Sequence, residues 1–173
     1  MKRLICISIS LVLIISAGYE TKAQSLKFGH INSNELIQAM PEFDSARIEL
    51  EQLRQELTKY LEIMSVDFNN KYNSYMKDNK NLSEIVKQTK EQELSDMNSR
   101  IQEFQSNAQT QLQEKQNELF NPVYAKLDNA IKATGKENDF LYIFDTKQGD
   151  LLYFDKTKSI DITGLVKIKL GLN

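Results

Sequence analysis

The feature that most constrains the fold is a run of 80 residues, 42–121, that contains no glycine and no proline. Pro41 precedes this run, and a proline suits the first turn of a helix because its missing N–H group is not needed there. Apolar residues then recur every three or four positions, as they do on one face of a packed helix. This stripe consists of Leu50, Leu53, Leu57, Leu61, Met64, Phe68, Tyr72 and Met76.

A second helix is predicted after a polar interruption at residues 78–81, which read DNKN. Ser83 is a suitable cap for its first turn. The four-residue interruption is long enough for an antiparallel turn, and each half carries its own stripe, so the pattern favours a helical hairpin. The alternative is one continuous helix that forms a parallel rod with partner chains. The second stripe consists of Ile85 or Val86, Leu94, Met97, Ile101, Phe104, Ala108, Leu112 and Leu119.

Each predicted arm helix has about 38–40 residues, which corresponds to roughly 55–60 Å at 1.5 Å per residue. A compact domain of about 150 residues has a radius of gyration of only about 15 Å. The two helices therefore cannot be enclosed by the rest of the chain. They are expected to pack on each other and to project outward.

The N-terminal segment has the features of a secretory signal peptide. Met1, Lys2 and Arg3 give a positive start, residues 4–16 are apolar, and small and polar residues lead to Ala23, after which cleavage is predicted. The alternative is an uncleaved anchor, but the apolar run is short of the ~20 residues that span a bilayer. Cys6 is the only cysteine and lies inside this segment, so the mature chain would contain no disulfide.

The residues flanking the hairpin predict a small body with strands. Residues 26–31 read LKFGHI and suggest a short strand, followed by a short helix through Ala39. After Pro122, which is expected to kink or restart the helix, a helical face is predicted to stop at Gly135. Residues 140–145 (FLYIFD) and 151–155 (LLYFD) are apolar on both faces and predict a buried β-hairpin. Asp161 or Thr163 could cap a last helix.

These elements give an α+β fold that is mostly α. Residues 1–23 form the signal peptide and residues 24–173 form one domain, in which a long antiparallel, coiled-coil-like hairpin (44–121, the arm) stands on a β-containing body (24–43 and 122–173). The body has about the size at which a lone core is only marginally stable. Its strands also require cover on both faces, so self-association is expected.

The charge and the motifs exclude several classes of function. Loss of the signal segment leaves a net charge of −4, which argues against a nucleic-acid-binding protein. The chain contains no Gly-rich phosphate loop, no HExxH motif and no nucleophile elbow. We therefore expect neither an enzyme nor a bound cofactor or metal.

The order of these elements resembles the OmpH/Skp family of periplasmic chaperones over essentially the whole mature chain. The most specific segments are LFNPVYAKLDNAI, which begins at Leu119, and the tail DITGLV, which begins at Asp161. The resemblance implies a homotrimer with a β-barrel-like body and helical arms around a cavity. Such a trimer would hold unfolded outer-membrane proteins in the periplasm without ATP. The alternative is a structural adaptor whose arms bind one folded envelope partner.

One departure from the resemblance concerns charge. Better-known members are strongly basic, whereas residues 44–121 carry ten basic and fourteen acidic side chains. A lipopolysaccharide site is therefore not carried over. A weak contact with a membrane surface through the arm tip is a third reading, since lysine is in local excess there. The candidate basic tip consists of Lys71, Lys77, Lys80, Lys87 and Lys90.

Two further sets of residues are candidates for binding. Aromatic and methionine side chains in the distal part of the arm give soft, adaptable surface of the kind that promiscuous binders use. The candidates for client binding are Tyr60, Met64, Phe68, Tyr72, Tyr75, Met76 and Met97. The candidates for contacts between copies of the body are Phe28, Ile31, Phe140, Tyr142, Phe144, Leu152 and Phe154.

Overall fold

A computed structural model describes residues 26–147 and 151–172, so the predicted signal peptide lies outside the described residues. The α+β, mostly helical fold is confirmed. In chain order the elements are β1 (Lys27–Ile31), α1 (Ser33–Ala39), α2 (Pro41–Asp78), a 3₁₀ turn (Asn79–Asn81), α3 (Glu84–Glu137), β2 (Phe140–Asp145), β3 (Ile160–Asp161) and α4 (Thr163–Lys169). None of the described helices is long and apolar enough to cross a membrane.

The long hairpin is present, and the alternative of one continuous helix is wrong. Pro41 is in the first turn of α2, as predicted, and the chain reverses through the 3₁₀ turn that includes Asn79. Ser83 occupies the N-cap position of α3, although its side chain makes no capping hydrogen bond. At 1.5 Å per residue, the 38 residues of α2 extend over about 57 Å.

Helix α3 differs from the prediction at its C-terminal end. It passes through Pro122 without a break and continues beyond Gly135 to Glu137, so it belongs to both the arm and the body. Asn138, three residues after Gly135, ends the helix, and its side-chain amide donates to the carbonyl of Thr134 at 2.8 Å. Asp139 follows with a φ of 56°, a left-handed conformation that ends the helix.

The small sheet also differs from the prediction. Strand β1 is central and pairs in parallel with β2 on one side and with β3 on the other. Residues 151–155 form no strand, so the predicted β-hairpin with residues 140–145 is wrong. The third strand is instead the two-residue β3. Parallel pairing of β1 with β2 needs a long crossover, and α1, α2 and α3 supply it.

The core of the body lies between one face of the sheet and the surrounding helices. Its fully buried members include Ile31 of β1, Leu36 of α1, and Ile162 and Val166 at the C-terminal end. The body segment of α3 contributes Val123, Leu127 and Ala130. The predicted short helix α1 is confirmed, and the side chain of Asn32 caps it by accepting from the backbone N–H of Glu35 at 3.3 Å.

Two glycines allow the elements of the body to approach closely. A Cβ on Gly29 of β1 would lie 3.2–3.3 Å from side-chain atoms of Phe140, Ile143 and Ile162. A Cβ on Gly135 of α3 would lie 2.9 Å from Cδ1 of Ile143. Gly135 therefore lets the last turn of α3 pack tightly on the sheet.

Candidate functional site

The two helices of the arm pack in an even antiparallel register. The rings of Tyr60 and Phe104 lie 5.1 Å apart between centroids. Lys71 Nζ lies 2.8 Å from Glu93, and Lys115 Nζ lies 2.8 Å from Glu49. The residue numbers of each of these three pairs total 164, so these three contacts share one antiparallel register.

Part of the predicted client-binding set lies in the seam between the helices. Met64, Phe68 and Met97 are half-buried there. Tyr75 is also half-buried, and its hydroxyl donates to Glu91 across the seam at 2.5 Å. This hydrogen bond raises the pKa of Tyr75, because it is lost on ionisation and the neighbouring carboxylate disfavours a phenolate. These four side chains pack between the two helices, so their first role is to hold the arm together rather than to bind a client.

The remaining candidates are exposed on the arm. Tyr60 and Met76 each expose just over half of their surface, and Tyr72 exposes 43%. Tyr72 and Met76 therefore lie outside the seam, contrary to the predicted stripe. Steps of four residues rotate the side chain by about 40° per step on a helix of 3.6 residues per turn. The seam instead continues from Phe68 to Tyr75, seven residues further on.

Sequence reasoning missed a set of exposed aliphatic side chains on the arm. Each of them lies off the seam stripe and exposes between 52% and 55% of its surface. An apolar residue that falls between the periodic positions is the signal that identifies them. The set consists of Ile48, Ile63 and Val66. Ile85 and Val86, one of which is the predicted start of the second seam stripe, are both exposed as well, so that part of the stripe is wrong.

The Tyr60 groove is an open apolar depression of about 440 Å³ beside the seam, lined chiefly by Leu57, Tyr60, Ile63 and Phe104. Only Glu56 and Lys59 bring charge to its edge. Removal of apolar surface from water is the main driving force for association. The groove can therefore bind an uncharged aromatic or aliphatic side chain.

The lysines of the predicted tip are unevenly neutralised. Lys71 is paired with Glu93 and lies 3.9 Å from Asp67, and these pairs raise its pKa and lower that of Glu93. Lys87 lies 3.8 Å from Glu84. Within the described part of the chain, the other three lysines form no ion pair and are exposed; they are Lys77, Lys80 and Lys90.

The outer face of the sheet is aromatic and open. Phe28 stacks on Tyr142 with 6.3 Å between ring centroids, and Tyr142 stacks on Phe144 at 6.0 Å. The ring of His30 packs on Phe154 at 4.8 Å, and its Nδ1 lies 2.9 Å from the hydroxyl of Ser159. Tyr142 is 57% exposed and Phe144 39%, so the described residues leave this part of the face open.

The other candidates for contacts between copies divide into two groups. Ile31 and Phe140 belong to the inner face and pack in the core of the body. Leu152 is 97% exposed and lies just outside the sheet, in a segment without secondary structure. Three residues further on, Asp155 accepts hydrogen bonds from the backbone and hydroxyl of Thr157, which lower the pKa of its carboxyl.

A small sheet carrying a long projecting helical hairpin defines a class, that of OmpH-like proteins. The chain matches the family described as outer membrane protein (OmpH-like) over residues 27–170, and it belongs to that family. OmpH-like outer-membrane chaperones are periplasmic and non-enzymatic.

Two individual proteins illustrate the similarity. An OmpH-like protein of Caulobacter crescentus CB15, assigned as an outer-membrane chaperone, has a crystal structure that matches with a TM-score of 0.68 at 13% identity, covering 88% of each chain. An uncharacterized protein of Aquifex aeolicus (strain VF5) is 31% identical over 144 residues, covering 82% of this chain and 84% of its own.

Proposed function

We propose that the chain is an ATP-independent holdase that binds unfolded outer-membrane proteins between helical arms in the periplasm and prevents their aggregation. The observation that carries this proposal is the exposed apolar surface of the arm outside its seam, with the Tyr60 groove as its most concave part. Side chains that are not needed to hold the hairpin together remain free to shield apolar segments of a client. Such contacts need no chemical step and no cofactor.

We further propose that the protein acts as a homotrimer, exported with a signal peptide that is cleaved after Ala23. The open aromatic face around Phe28, Tyr142 and Phe144 supports self-association, because exposed apolar patches of this kind mark interaction surfaces. The exposed lysines of the tip support a weak contact with an anionic membrane surface. Light scattering of the purified protein tests the homotrimer, and liposome co-sedimentation at rising salt tests the contact with the membrane surface.

The holdase activity is tested by diluting an unfolded outer-membrane β-barrel protein out of urea and following turbidity. Equimolar trimer is expected to suppress aggregation. The double substitution of Tyr60→Ser and Ile63→Ser is expected to raise the half-suppressing concentration about fivefold, because the two exposed side chains together contribute on the order of 1 kcal/mol. Gln52→Ser, an exposed polar position on the same helix, is the matched control.

Unchanged aggregation in the presence of the wild-type protein would contradict the proposal. A pull-down from envelope extract distinguishes the holdase from the alternative, a structural adaptor. Many unrelated β-barrel clients agree with a holdase, whereas a single folded partner, sensitive to point changes on one face of the arm, indicates a structural adaptor.

A further inference from the structure

A second groove, the root groove, lies where the arm joins the body, about 25 Å along α2 from Tyr60. It has a volume of about 460 Å³, within the range of pockets that bind small ligands. Its floor is apolar and is formed by Ile37 of α1, Phe43 of α2, and Tyr124 and Ile131 of α3. Tyr124 exposes 47% of its surface, so its ring is available to a ligand.

One end of the root groove is acidic. Asp145 is held there by backbone groups, because its Oδ1 accepts from the N–H of Lys147 at 3.0 Å and from the N–H of Ser33 at 3.5 Å. Asp128 also lines the groove and makes an exposed ion pair with Lys132, one helical turn away, at 2.6 Å. None of the described residues that line the groove is basic. The groove therefore complements a positive charge.

Asp145 is the carboxylate of the groove that a bound cation can reach. It is half-buried and makes no ion pair within the described residues, whereas Asp128 is already paired with Lys132. Ser33 also lines the groove, but its hydroxyl oxygen exposes less than 1 Å², so it takes no part in binding.

We propose that the root groove binds a lysine or arginine side chain that is flanked by apolar residues in an extended peptide segment. The aliphatic stem of such a side chain packs on the apolar floor while its charge reaches Asp145 and Asp128. The exposed ring of Tyr124 can contact the cation with its face. A bare metal ion does not fit, since within the described residues no three His, Cys, Asp or Glu side chains gather at one place.

This inference rests on the proposed holdase function and adds a preference for certain client segments. The groove selects segments in which basic and apolar residues are adjacent, and the acidic balance of the arm would favour the same segments. The Tyr60 groove, by contrast, takes uncharged side chains. The two grooves together would bind one client chain at two chemically different places.

The test uses the purified product of the full-length chain and three fluorescein-labelled peptides of 12 residues. The peptides share the same phenylalanine positions and carry lysine, glutamine or glutamate between them. Fluorescence anisotropy is expected to show the lysine peptide binding about five- to tenfold more tightly than the glutamate peptide, the range that one or two partly exposed ion pairs supply.

Asp128→Lys is expected to abolish or reverse this preference without unfolding the body, because Asp128 is exposed. Asp96→Lys on the arm makes the same change of net charge outside the groove and is expected to keep most of the preference. Tyr124→Ala is expected to weaken binding of all three peptides about three- to tenfold. Thermal unfolding of each variant separates these effects from a loss of structure.

Three results would overturn the proposal. They are equal binding of the three peptides, an equal effect of Asp128→Lys and Asp96→Lys, or loss of peptide binding as the protein self-associates, which would mean that a second copy fills the groove. Wild-type protein that suppresses aggregation but shows no charge preference would refute the root groove alone. Failure in the turbidity assay would refute the holdase function itself.

Discussion

Glycine-to-alanine substitutions at two positions that flank Ile143 should have opposite effects on stability. Gly29→Ala would place a methyl group within 3.2–3.3 Å of three side chains, those of Phe140, Ile143 and Ile162. Ordinary contacts lie at 3.4 Å or more, so side chains on three sides of the new methyl group must each shift by a few tenths of an ångström. Overpacking of this kind costs about 1–3 kcal/mol.

The gain from replacing glycine offsets part of this cost. A glycine loses more conformational freedom on folding than an alanine, which is worth about 0.4–1 kcal/mol where the backbone suits both residues. The net effect of Gly29→Ala is therefore a loss of about 1–2 kcal/mol in the free energy of unfolding.

Gly135→Ala makes only one close contact, 2.9 Å from Cδ1 of Ile143, which is the far end of a flexible side chain. Rotation of that side chain relieves the contact, and the helix gains about 0.5–1 kcal/mol from the loss of glycine. The net effect should lie between neutral and about 0.5 kcal/mol of stabilisation. Gly164→Ala in α4 meets nothing within 4 Å and serves as the control for helix propensity alone.

Urea unfolding followed by circular dichroism measures all three variants. The protein concentration must be held constant, because self-association makes the midpoint concentration-dependent. If Gly29→Ala is as stable as the wild type, or if Gly135→Ala is the more damaging of the two, the reasoning from these contacts is wrong.

Three further predictions concern the seam, the outer face of the sheet and pH. Phe104→Ala should lower the free energy of unfolding by about 2 kcal/mol, less than the 3–5 kcal/mol of a buried phenylalanine, because Phe104 is half-buried; urea unfolding checks this. Tyr142→Glu should reduce the mass measured by light scattering to that of the monomer, and an unchanged mass would contradict the proposed interface. Lys71 lowers the pKa of Glu93 from its ordinary value of 4.5. The ionised carboxylate of Glu93 therefore stabilises the folded protein fully above pH 4.5, and this stabilisation is lost as the pH falls through the lower pKa of the folded state. Thermal unfolding midpoints should therefore be level from about pH 7 to 5 and fall below about pH 4.5, less steeply in Glu93→Gln, and a fall that is complete above pH 5 would refute this.

The sequence predicted the arm well because helical periodicity is a local property. Seam residues such as Leu57, Ile101 and Leu112 recur at the spacing of one helix face and are half-buried as expected. The prediction failed beyond Phe68, where the spacing allowed the seam to continue in two ways. Tyr72 and Met76 fit steps of three or four residues as well as Tyr75 does. Only the partner helix decides between them.

The body was less predictable because its short apolar runs have no period of their own. Residues 151–155 resemble a buried strand, but β2, their predicted partner, pairs instead with the distant β1 and forms an edge of the described sheet. Pairing with a distant strand cannot be read from a short apolar run. Gly135 looks like a helix stop, and only the close approach of Ile143 explains why it lies inside α3. The root groove could not be foreseen, since it assembles residues from α1, α2, α3 and β2.

The total of 164 that three pairs of the arm share makes these contacts rungs of a ladder, which can be removed in matched sets. Deleting seven residues from each helix, at levels equally far from the turn, would keep every remaining rung on the same face, because seven residues are close to two helical turns. The arm would become about 10.5 Å shorter, and both ends would still enter the body at the same place. Arm length can thus change by paired insertions and deletions while the body stays as it is.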